Sequence, residues 1–457
     1  MKETNKLKLF FIVLFSAMGG MLYGYDIGII GGSLPFIQIS FNMTPNQVSL
    51  LGGSVLFGGA FAILICGFLA DLFGRKNMII TSGLLFVISV FMIYFSQNYE
   101  FLLFSRLLQG VAVGFISITV PLYLTESVPS KIRGLAVTSF QLFLTAGILL
   151  AVAVSLLFIS KDPVTGVEVG NWRNMFLTAL IPGFIVFIGG FFLIKSPRWL
   201  IMKDKEAEAE QVLVSIIGTE AAKQQIQVAR SLIEQSKSEG SLLSNLTKKH
   251  YLKPIILVFA IAMLAQMTGI NSILQYAPVM LKKAGLGSVY ASIIGGVAIT
   301  GINFLTTIIA VIIADKVERK IIVGFGTLMV ALVLLTLSFI IYDMPDSSTQ
   351  GMILLIGLIL YIFFFAIGSG AYIWVILSEL LPTAIRSKGL AVALFLNSLT
   401  SALLASAVMP ITKIFDGYFA ILGICGMCTL LYSFIVFKFV PRTSGRSLEE
   451  IEQEFMK

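Results

Sequence analysis

Long apolar runs alternate with short polar connections along almost the whole chain. A helix needs about 20 consecutive apolar residues to cross the roughly 30 Å of hydrocarbon in a bilayer. Twelve such runs are present, six on each side of one long polar segment. They cover residues 9–33, 48–70, 78–96, 101–124, 135–158, 173–194, 253–282, 288–314, 321–342, 350–377, 388–409 and 417–438. The pattern predicts an all-α integral membrane protein with twelve transmembrane helices in two six-helix bundles.

The long polar segment joins the sixth span to the seventh. Its spaced apolar residues among Ala, Glu and Gln predict two or three short amphipathic helices, broken at Gly218 and around Ser236–Ser241. These helices could latch the inner face of the bundle, or they could be no more than a solvated linker. We expect an N-terminal bundle at 1–195, a cytoplasmic helical linker at 196–250, a C-terminal bundle at 251–440 and a cytoplasmic tail at 441–457.

Composition and charge placement sharpen this picture. Of 457 residues, 57% are hydrophobic and 12% charged, whereas soluble domains carry about 25% charged residues. Lysine and arginine collect in alternate connections, and such residues are retained on the cytoplasmic side. This predicts a multi-pass protein of the inner cell membrane with both termini cytoplasmic. Topology alone explains the pI of about 9.2, so no nucleic-acid partner is expected. The positive connections contain Arg75 and Lys76, Lys131 and Arg133, Lys316, Arg319 and Lys320, and Arg386 and Lys388.

One carboxylate lies inside the first apolar run. Asp26 follows a glycine-rich segment, and a bare carboxylate at that depth costs a few kcal/mol or more. The available cation is Arg106, a few residues into the fourth span. Our hypothesis is that Asp26 binds a driving proton and pairs with Arg106 when deprotonated. The alternative is a permanent ion pair that only fixes helix packing.

One charged sequence motif occurs twice, each time at a predicted cytoplasmic helix end. Glu-x-x-Pro-x-x-x-Arg runs from Glu126 to Arg133 and again from Glu379 to Arg386. A network across two bundles can form in one state and break in another, so we expect a gate that closes the inner side. The alternative is ordinary positive-inside topology with incidental acids. The remaining members of the predicted gate are Asp71 and Arg75 after the second span and Asp315 and Arg319 after the eighth.

Polar side chains inside the spans are the candidate substrate contacts. Amides both donate and accept hydrogen bonds, which suits a neutral ligand covered in hydroxyl groups. Tryptophan adds an apolar face and one N–H donor. Singly, each could merely tie two helices together, but as a set they favour a sugar-like cavity. The set consists of Gln141, Gln266, Asn271, Asn303, Trp374 and Asn397.

The chain offers little for enzyme chemistry. It has one histidine and three cysteines, and the spans show no nucleophile, metal cluster or catalytic dyad. We therefore expect no enzyme activity and no cofactor.

These residues resemble the sugar porter family of the major facilitator superfamily over nearly the whole chain. The resemblance implies twelve helices, alternating access and a monosaccharide site between the bundles. It is carried by GYDIGIIGG at 24–32, GFLADLFGRK at 67–76, PLYLTESVPSKIRG at 121–134, SPRWL at 196–200, GINSILQYAPVM at 269–280, IWVILSELLPTAIRSKG at 373–389 and VPRTSGRSLEEI at 440–451.

The resemblance also implies roles for individual residues. Asp26 aligns with the aspartate of proton-coupled members, which points to symport. The family's sugar-contacting side chains are matched by Gln141, Gln266, Asn271, Asn303, Trp374 and Asn397.

The chain departs from the family pattern in the second half. Ala265 stands where the first glutamine of QQxxGIN is expected, and Gln275 replaces the first tyrosine of the usual pair, leaving Tyr276. Ser398 follows Asn397 where many members have tryptophan. We include Gln275 and Tyr276 among the predicted substrate contacts.

The prediction for function is a proton-coupled symporter that imports a neutral pentose or hexose. The alternatives are a passive sugar facilitator and, after that, a polyol or drug transporter. The expected partners are a small sugar, a proton and the lipid bilayer, and the expected state is a monomer.

Overall fold

The computed structural model describes residues 6–129, 132–238, 249–313, 317–381 and 385–442. Within these ranges, 12 helical segments are long and apolar enough to cross a membrane, which confirms the prediction of a twelve-span all-α protein. The first half contains α1 (Lys6–Ser40), α2 (Pro45–Phe73), α3 (Arg75–Tyr94), α4 (Tyr99–Ser127), α5 (Arg133–Ser155), α6 (Trp172–Leu177) and α7 (Leu180–Phe192), with β1 (Ile159–Lys161) and β2 (Glu168–Gly170) between α5 and α6.

The second half has the same number of spans, and three helices precede it. The joining helices are α8 (Pro197–Met202), α9 (Glu206–Ile217) and α10 (Thr219–Ser238). The second half contains α11 (Lys249–Met267), α12 (Ile270–Lys283), α13 (Val289–Ile313), α14 (Arg319–Asp343), α15 (Ser348–Ile367), α16 (Ser369–Leu380), α17 (Arg386–Ile414) and α18 (Phe419–Phe439).

Local signals set where several helices begin. Thr44 caps α2 by accepting from the Gln47 N–H, the Gln47 side chain accepts in return from the Thr44 N–H, and Pro45 occupies the first turn. Asn98 caps α4 in the same manner through the Phe101 N–H. The short polar connections before α2 and α4 therefore start these two helices where the next apolar run begins.

The seventh span is divided, although the sequence predicted one continuous run from 253 to 282. Gly269 has φ +83°, a left-handed conformation that favours a residue without Cβ, and it separates α11 from α12. A helix break inside a membrane frees backbone groups that need partners. The Tyr361 hydroxyl supplies one by donating to the Thr268 carbonyl at 3.1 Å. This break places the Gln266 and Asn271 side chains around a turn rather than along one helix.

The joining segment forms helices, and α9 ends where the sequence predicted. Gly218 has φ +82° and separates α9 from α10. The helices contact the first half: the Trp199 indole N–H donates to the Asp71 carbonyl at 3.0 Å, and Lys195 pairs with Glu208 at 3.1 Å. Residues 239–248 and the tail from 443 lie outside the described residues. We call the end of the bundle that carries α8–α10 the linker side.

A small β-hairpin lies at the opposite end, which we call the hairpin side. β1 and β2 pair antiparallel, with Ser160 opposite Val169. The Asp162 carboxylate accepts from the Thr165 and Val164 N–H groups at 2.8 and 2.9 Å, and these bonds lower the pKa of Asp162. This hairpin was not predicted from the apolar pattern, although an aspartate two residues before such an N–H group is a common turn signal.

Glycines allow several helices to approach closely. A Cβ at Gly24 in α1 would overlap the Leu144 carbonyl of α5. α2 likewise crosses α4 at Gly58 and Gly110, where an added Cβ would overlap a backbone carbonyl of the other helix. Between the halves, α2 packs along α17, α5 along α13 and α1 against α12. Small residues at such crossings bring backbones together, which is how helices associate in lipid.

We expect Gly24→Ala to destabilise the protein and Gly301→Ala to stabilise it slightly. Overpacking costs about 1–3 kcal/mol, whereas glycine in an open helix position costs about 0.5–1 kcal/mol relative to alanine. A Cβ at Gly301 would meet its nearest atom at 3.9 Å, an ordinary contact. Thermal unfolding in detergent measures both shifts, and equal midpoints for the two variants would contradict the close α1–α5 crossing.

Candidate functional site

A buried ion pair joins α1 to α4. Arg106 Nη1 donates to Asp26 Oδ1 at 2.5 Å, and the two side chains are 1% and 2% exposed. The same Nη1 also donates to Gln109 Oε1 at 2.8 Å. The Phe176 ring lies 5.4 Å from the guanidinium carbon, a distance at which an aromatic face attracts a cation. The structure therefore brings together the two residues that the sequence assigned to proton coupling and adds Gln109 to them.

Four side chains of the second half form a hydrogen-bonded group that we call the amide cluster: Gln266, Asn271, Asn397 and Ser401. Gln266 Nε2 donates to Asn397 Oδ1 at 3.1 Å. Asn271 Nδ2 donates to Gln266 Oε1 at 3.1 Å and to Ser401 Oγ at 2.8 Å. The cluster thus links α11, α12 and α17. Sequence reasoning missed Ser401, although it lies four residues after Asn397 and so on the same helix face.

The other predicted substrate contacts are not hydrogen-bonded to this cluster. Gln141 is partly buried, Asn303 is 5% exposed and Trp374 is 40% exposed. Among the residues that the structure describes, no hydrogen bond joins any of these three to the amide cluster. Their role as substrate contacts stays a prediction.

Gln275 and Tyr276 lie where the two halves meet near the hairpin side. Tyr276 is fully buried, and its hydroxyl donates to the Ala405 carbonyl at 3.3 Å. A Cβ at Gly52 of α2 would overlap that hydroxyl, so glycine there lets the tyrosine fit. Gln275 is 2% exposed, and its Oε1 has no hydrogen-bond partner among the described residues. In this conformation both side chains pack in the contact between the halves.

The halves also touch through two further hydrogen bonds on the hairpin side. The Met409 N–H of α17 donates to Ser49 Oγ of α2 at 2.9 Å. The Tyr290 N–H at the start of α13 donates to Glu168 Oε2 of the hairpin at 3.2 Å. On the hairpin side, α2 therefore contacts α12 and α17, and the hairpin contacts α13.

On the linker side, charges are paired within each half. Arg75 pairs with Asp71 at 2.8 Å and with Glu126 at 2.9 Å, and Ser196 Oγ donates to Glu126 Oε2 at 2.5 Å. The side chains of Arg75 and Glu126 are 5% and 2% exposed. This arrangement ties the ends of α2, α3 and α4 to the start of α8.

The second half repeats part of this arrangement. Arg319 pairs with Glu379 at 2.5 Å, with side chains 20% and 18% exposed. Asp315 and the side chains of Arg133 and Arg386 lie outside the described residues. Every ion pair between two described residues on the linker side joins residues within one half or its adjoining linker, so charge pairs across the halves stay a prediction.

Twelve spans in two halves, with a buried charge pair in one and a polar cluster in the other, define a membrane carrier. A family model described as "Sugar (and other) transporter" matches residues 12–455. The chain belongs to this family, within the major facilitator superfamily, which confirms the resemblance drawn from its motifs. It is therefore a multi-pass membrane transporter and not an enzyme.

Named relatives and solved structures resemble the chain end to end. The glucose transporter GlcP of Staphylococcus epidermidis is 33% identical, over 99% of this chain and 98% of that protein. The galactose-proton symporter of Escherichia coli K12 is 31% identical, over 100% and 96%. The inward-open conformation of the xylose transporter XylE from E. coli matches with a TM-score of 0.82 at 26% identity, over 97% and 99%.

We expect Glu126→Gln to destabilise the first half. The change removes one charge of a buried pair, which typically costs 3–5 kcal/mol. The free energy of unfolding should fall by about 3 kcal/mol, the lower end of that range, because Asp71 still pairs with Arg75. Thermal unfolding in detergent measures it.

Glu208→Gln is the matched control. Glu208 and its partner Lys195 are about half exposed, and the Lys195 hydrogen bond lowers the pKa of Glu208. Solvent and salt screen such pairs, so this variant should unfold close to the unmodified protein. A larger loss for Glu208→Gln than for Glu126→Gln would contradict the assignment of Glu126 as a buried structural charge.

Proposed function

We propose that the protein is a proton-coupled symporter that imports a neutral monosaccharide by alternating access. The observation that carries this proposal is the Asp26–Arg106 pair, buried within membrane-spanning helices of a sugar-transporter family member. The proposal specifies the residue that takes up the proton, the class of sugar and the direction of transport.

Proton coupling follows from the chemistry of the pair. A carboxylate and a guanidinium inside a membrane are both costly, and their attraction offsets part of that cost. Adding a proton to Asp26 removes one charge and leaves Arg106 charged. The contact between α1 and α4 then weakens, so proton binding can bias which side of the carrier opens.

Sugar binding is assigned to the amide cluster with Gln141, Asn303 and Trp374. Amides can donate to and accept from hydroxyl groups, and no member of the set is charged. Two relatives are named for glucose and galactose, which supports a monosaccharide. Gln275 and Tyr276 lie in the closed contact on the hairpin side, so they would reach the sugar when that contact opens.

We place the linker side in the cytoplasm. Arg75, Lys76 and Arg319 lie there, and positively charged connections are retained inside during insertion. Both termini are then cytoplasmic and the hairpin is outside. The halves touch through hydrogen bonds on that outer, hairpin side.

Asp26→Asn should abolish sugar accumulation driven by a proton gradient in proteoliposomes, because asparagine cannot take up a proton. Exchange of sugar between equal concentrations on the two sides should continue, since it needs no net proton movement. The measurement is uptake of labelled glucose, galactose and xylose after a pH jump, with and without a protonophore.

Asp162→Asn is the control for this experiment. Asp162 lies on the exposed hairpin turn, and an asparagine oxygen can still accept from Thr165 and Val164. This variant should accumulate sugar normally. If Asp26→Asn also accumulates sugar against its gradient, the proton site is wrong, and insensitivity of the unmodified protein to the protonophore would favour a passive facilitator.

Gln266→Ala should raise the KM for sugar roughly twofold to tenfold, the equivalent of losing about 0.5–1.5 kcal/mol from one neutral hydrogen bond. Gln350→Ala is the matched control. Gln350 is a buried amide whose Nε2 donates to the Met344 carbonyl at 2.8 Å, away from the cluster. It should lower the thermal midpoint and leave KM unchanged. Equal KM values for both variants would remove the amide cluster from the sugar site.

A further inference from the structure

Arg106 has a second hydrogen-bond acceptor besides Asp26. Gln109 lies three residues after Arg106 on α4, so the two side chains share a helix face. Gln109 is fully buried, and its Oε1 accepts from the same Nη1 that donates to Asp26. Gln109 Nε2 and Arg106 Nε have no partner among the described residues. The amide oxygen, not the amide nitrogen, is therefore turned toward the cation.

The surroundings of the pair are otherwise weakly polar. Asp26 interacts with Arg106 of α4 and, on its own helix α1, with the titratable side chain of Tyr23. The Tyr25 hydroxyl shares a hydrogen bond of 2.6 Å with Thr178, and Phe176 presents its ring to the guanidinium. The Arg173 guanidinium of α6 donates hydrogen bonds to the Tyr94 and Ser96 carbonyls. Other charged residues of the helices packed on α1 lie near helix ends: Asp71, Glu100, Glu126, Arg133, Lys282 and Lys283.

Protonation of Asp26 changes what Arg106 requires. While Asp26 is ionised, the guanidinium has a carboxylate and an amide oxygen as acceptors. Once Asp26 is neutral, Arg106 remains a buried cation, and a buried charge without a strong acceptor is costly. The Gln109 oxygen is the acceptor already in place at 2.8 Å. Its bond is therefore worth more in the protonated state than in the ionised state.

We propose that Gln109 is a positioning residue that holds Arg106 when Asp26 is protonated and thereby sets the pH range in which the carrier couples to protons. The proposal rests on the proposed function, since it assumes that Asp26 is the proton site. Gln109 itself contacts neither the proton nor the sugar.

Two variants of nearly the same size test the direction in which Gln109 shifts the pH dependence of uptake. Gln109→Met removes the acceptor, so protonation leaves Arg106 without it, and uptake should need a higher proton concentration. Gln109→Glu gives Arg106 a second carboxylate, which frees Asp26 to accept a proton, so uptake should persist to higher pH. We expect the half-maximal pH to move down by about one unit for Gln109→Met and up for Gln109→Glu, since one hydrogen bond to a charged group is of that size.

The experiment measures initial uptake of labelled galactose, glucose and xylose into proteoliposomes across a series of external pH values. Gln350→Met serves as the matched control, because it removes a buried amide that is distant from the pair. Thermal midpoints in detergent are recorded for all variants. A purely structural role for Gln109 predicts a lower thermal midpoint with no shift in the pH profile, as expected for Gln350→Met.

The outcomes separate this inference from the proposed function. Opposite shifts for Gln109→Met and Gln109→Glu support it, whereas unchanged profiles, or shifts in the same direction, overturn it. Asp26→Asn is measured in parallel. If Asp26→Asn still couples uptake to protons, or if none of the three sugars is transported, the proposed function fails. If Asp26→Asn loses coupling while the Gln109 profiles stay fixed, only the role of Gln109 fails.

Discussion

The absence of water from a bilayer interior is the constraint on which this structure depends. Every polar group within the spans needs a partner from the protein, because lipid offers none. The break at Gly269 is accompanied by the Tyr361 hydroxyl on the Thr268 carbonyl. Arg106 is accompanied by a carboxylate, an amide and an aromatic face. The Asp26–Arg106 pair joins α1 to α4, and the amide cluster joins α11, α12 and α17.

The two halves share a plan but differ in their polar interiors. On the linker side both repeat an Arg–Glu pair, Arg75 with Glu126 and Arg319 with Glu379. Deeper in the bundle the first half contains the Asp26–Arg106 pair, and the second half contains the amide cluster. In the proposed mechanism, this repeated frame with unlike interiors lets proton and sugar act on different halves while one interface responds to both.

The sequence predicted most of the fold because spanning a membrane leaves a strong, simple signal. Length and apolarity were enough for twelve spans, and the lone intramembrane Asp26 and Arg106 were enough to expect their contact. The break at Gly269 was not predicted, because one glycine in an apolar run is compatible with a continuous helix. The roles of Ser401 and Gln109 were not predicted for another reason. A serine or glutamine inside a span becomes informative only when its neighbour in space is known.

Rigid halves and a separable interface are what the proposed alternating access requires, and the contacts within and between the halves differ in kind. Within the first half, close glycine crossings, such as Gly24 of α1 against α5, and the buried Arg75–Glu126 pair resist relative motion of the helices. Between the halves, the hydrogen bonds on the hairpin side are single ones, such as Met409 to Ser49 and Tyr290 to Glu168, and the rest of the contact is helix packing. Each of these groups can exchange its partner for water when the side opens, so opening sacrifices little hydrogen bonding. Gln275 Oε1 is buried there without a partner among the described residues, and an unpaired buried amide oxygen is costly, so under the proposed mechanism an opening that admits water would relieve that cost.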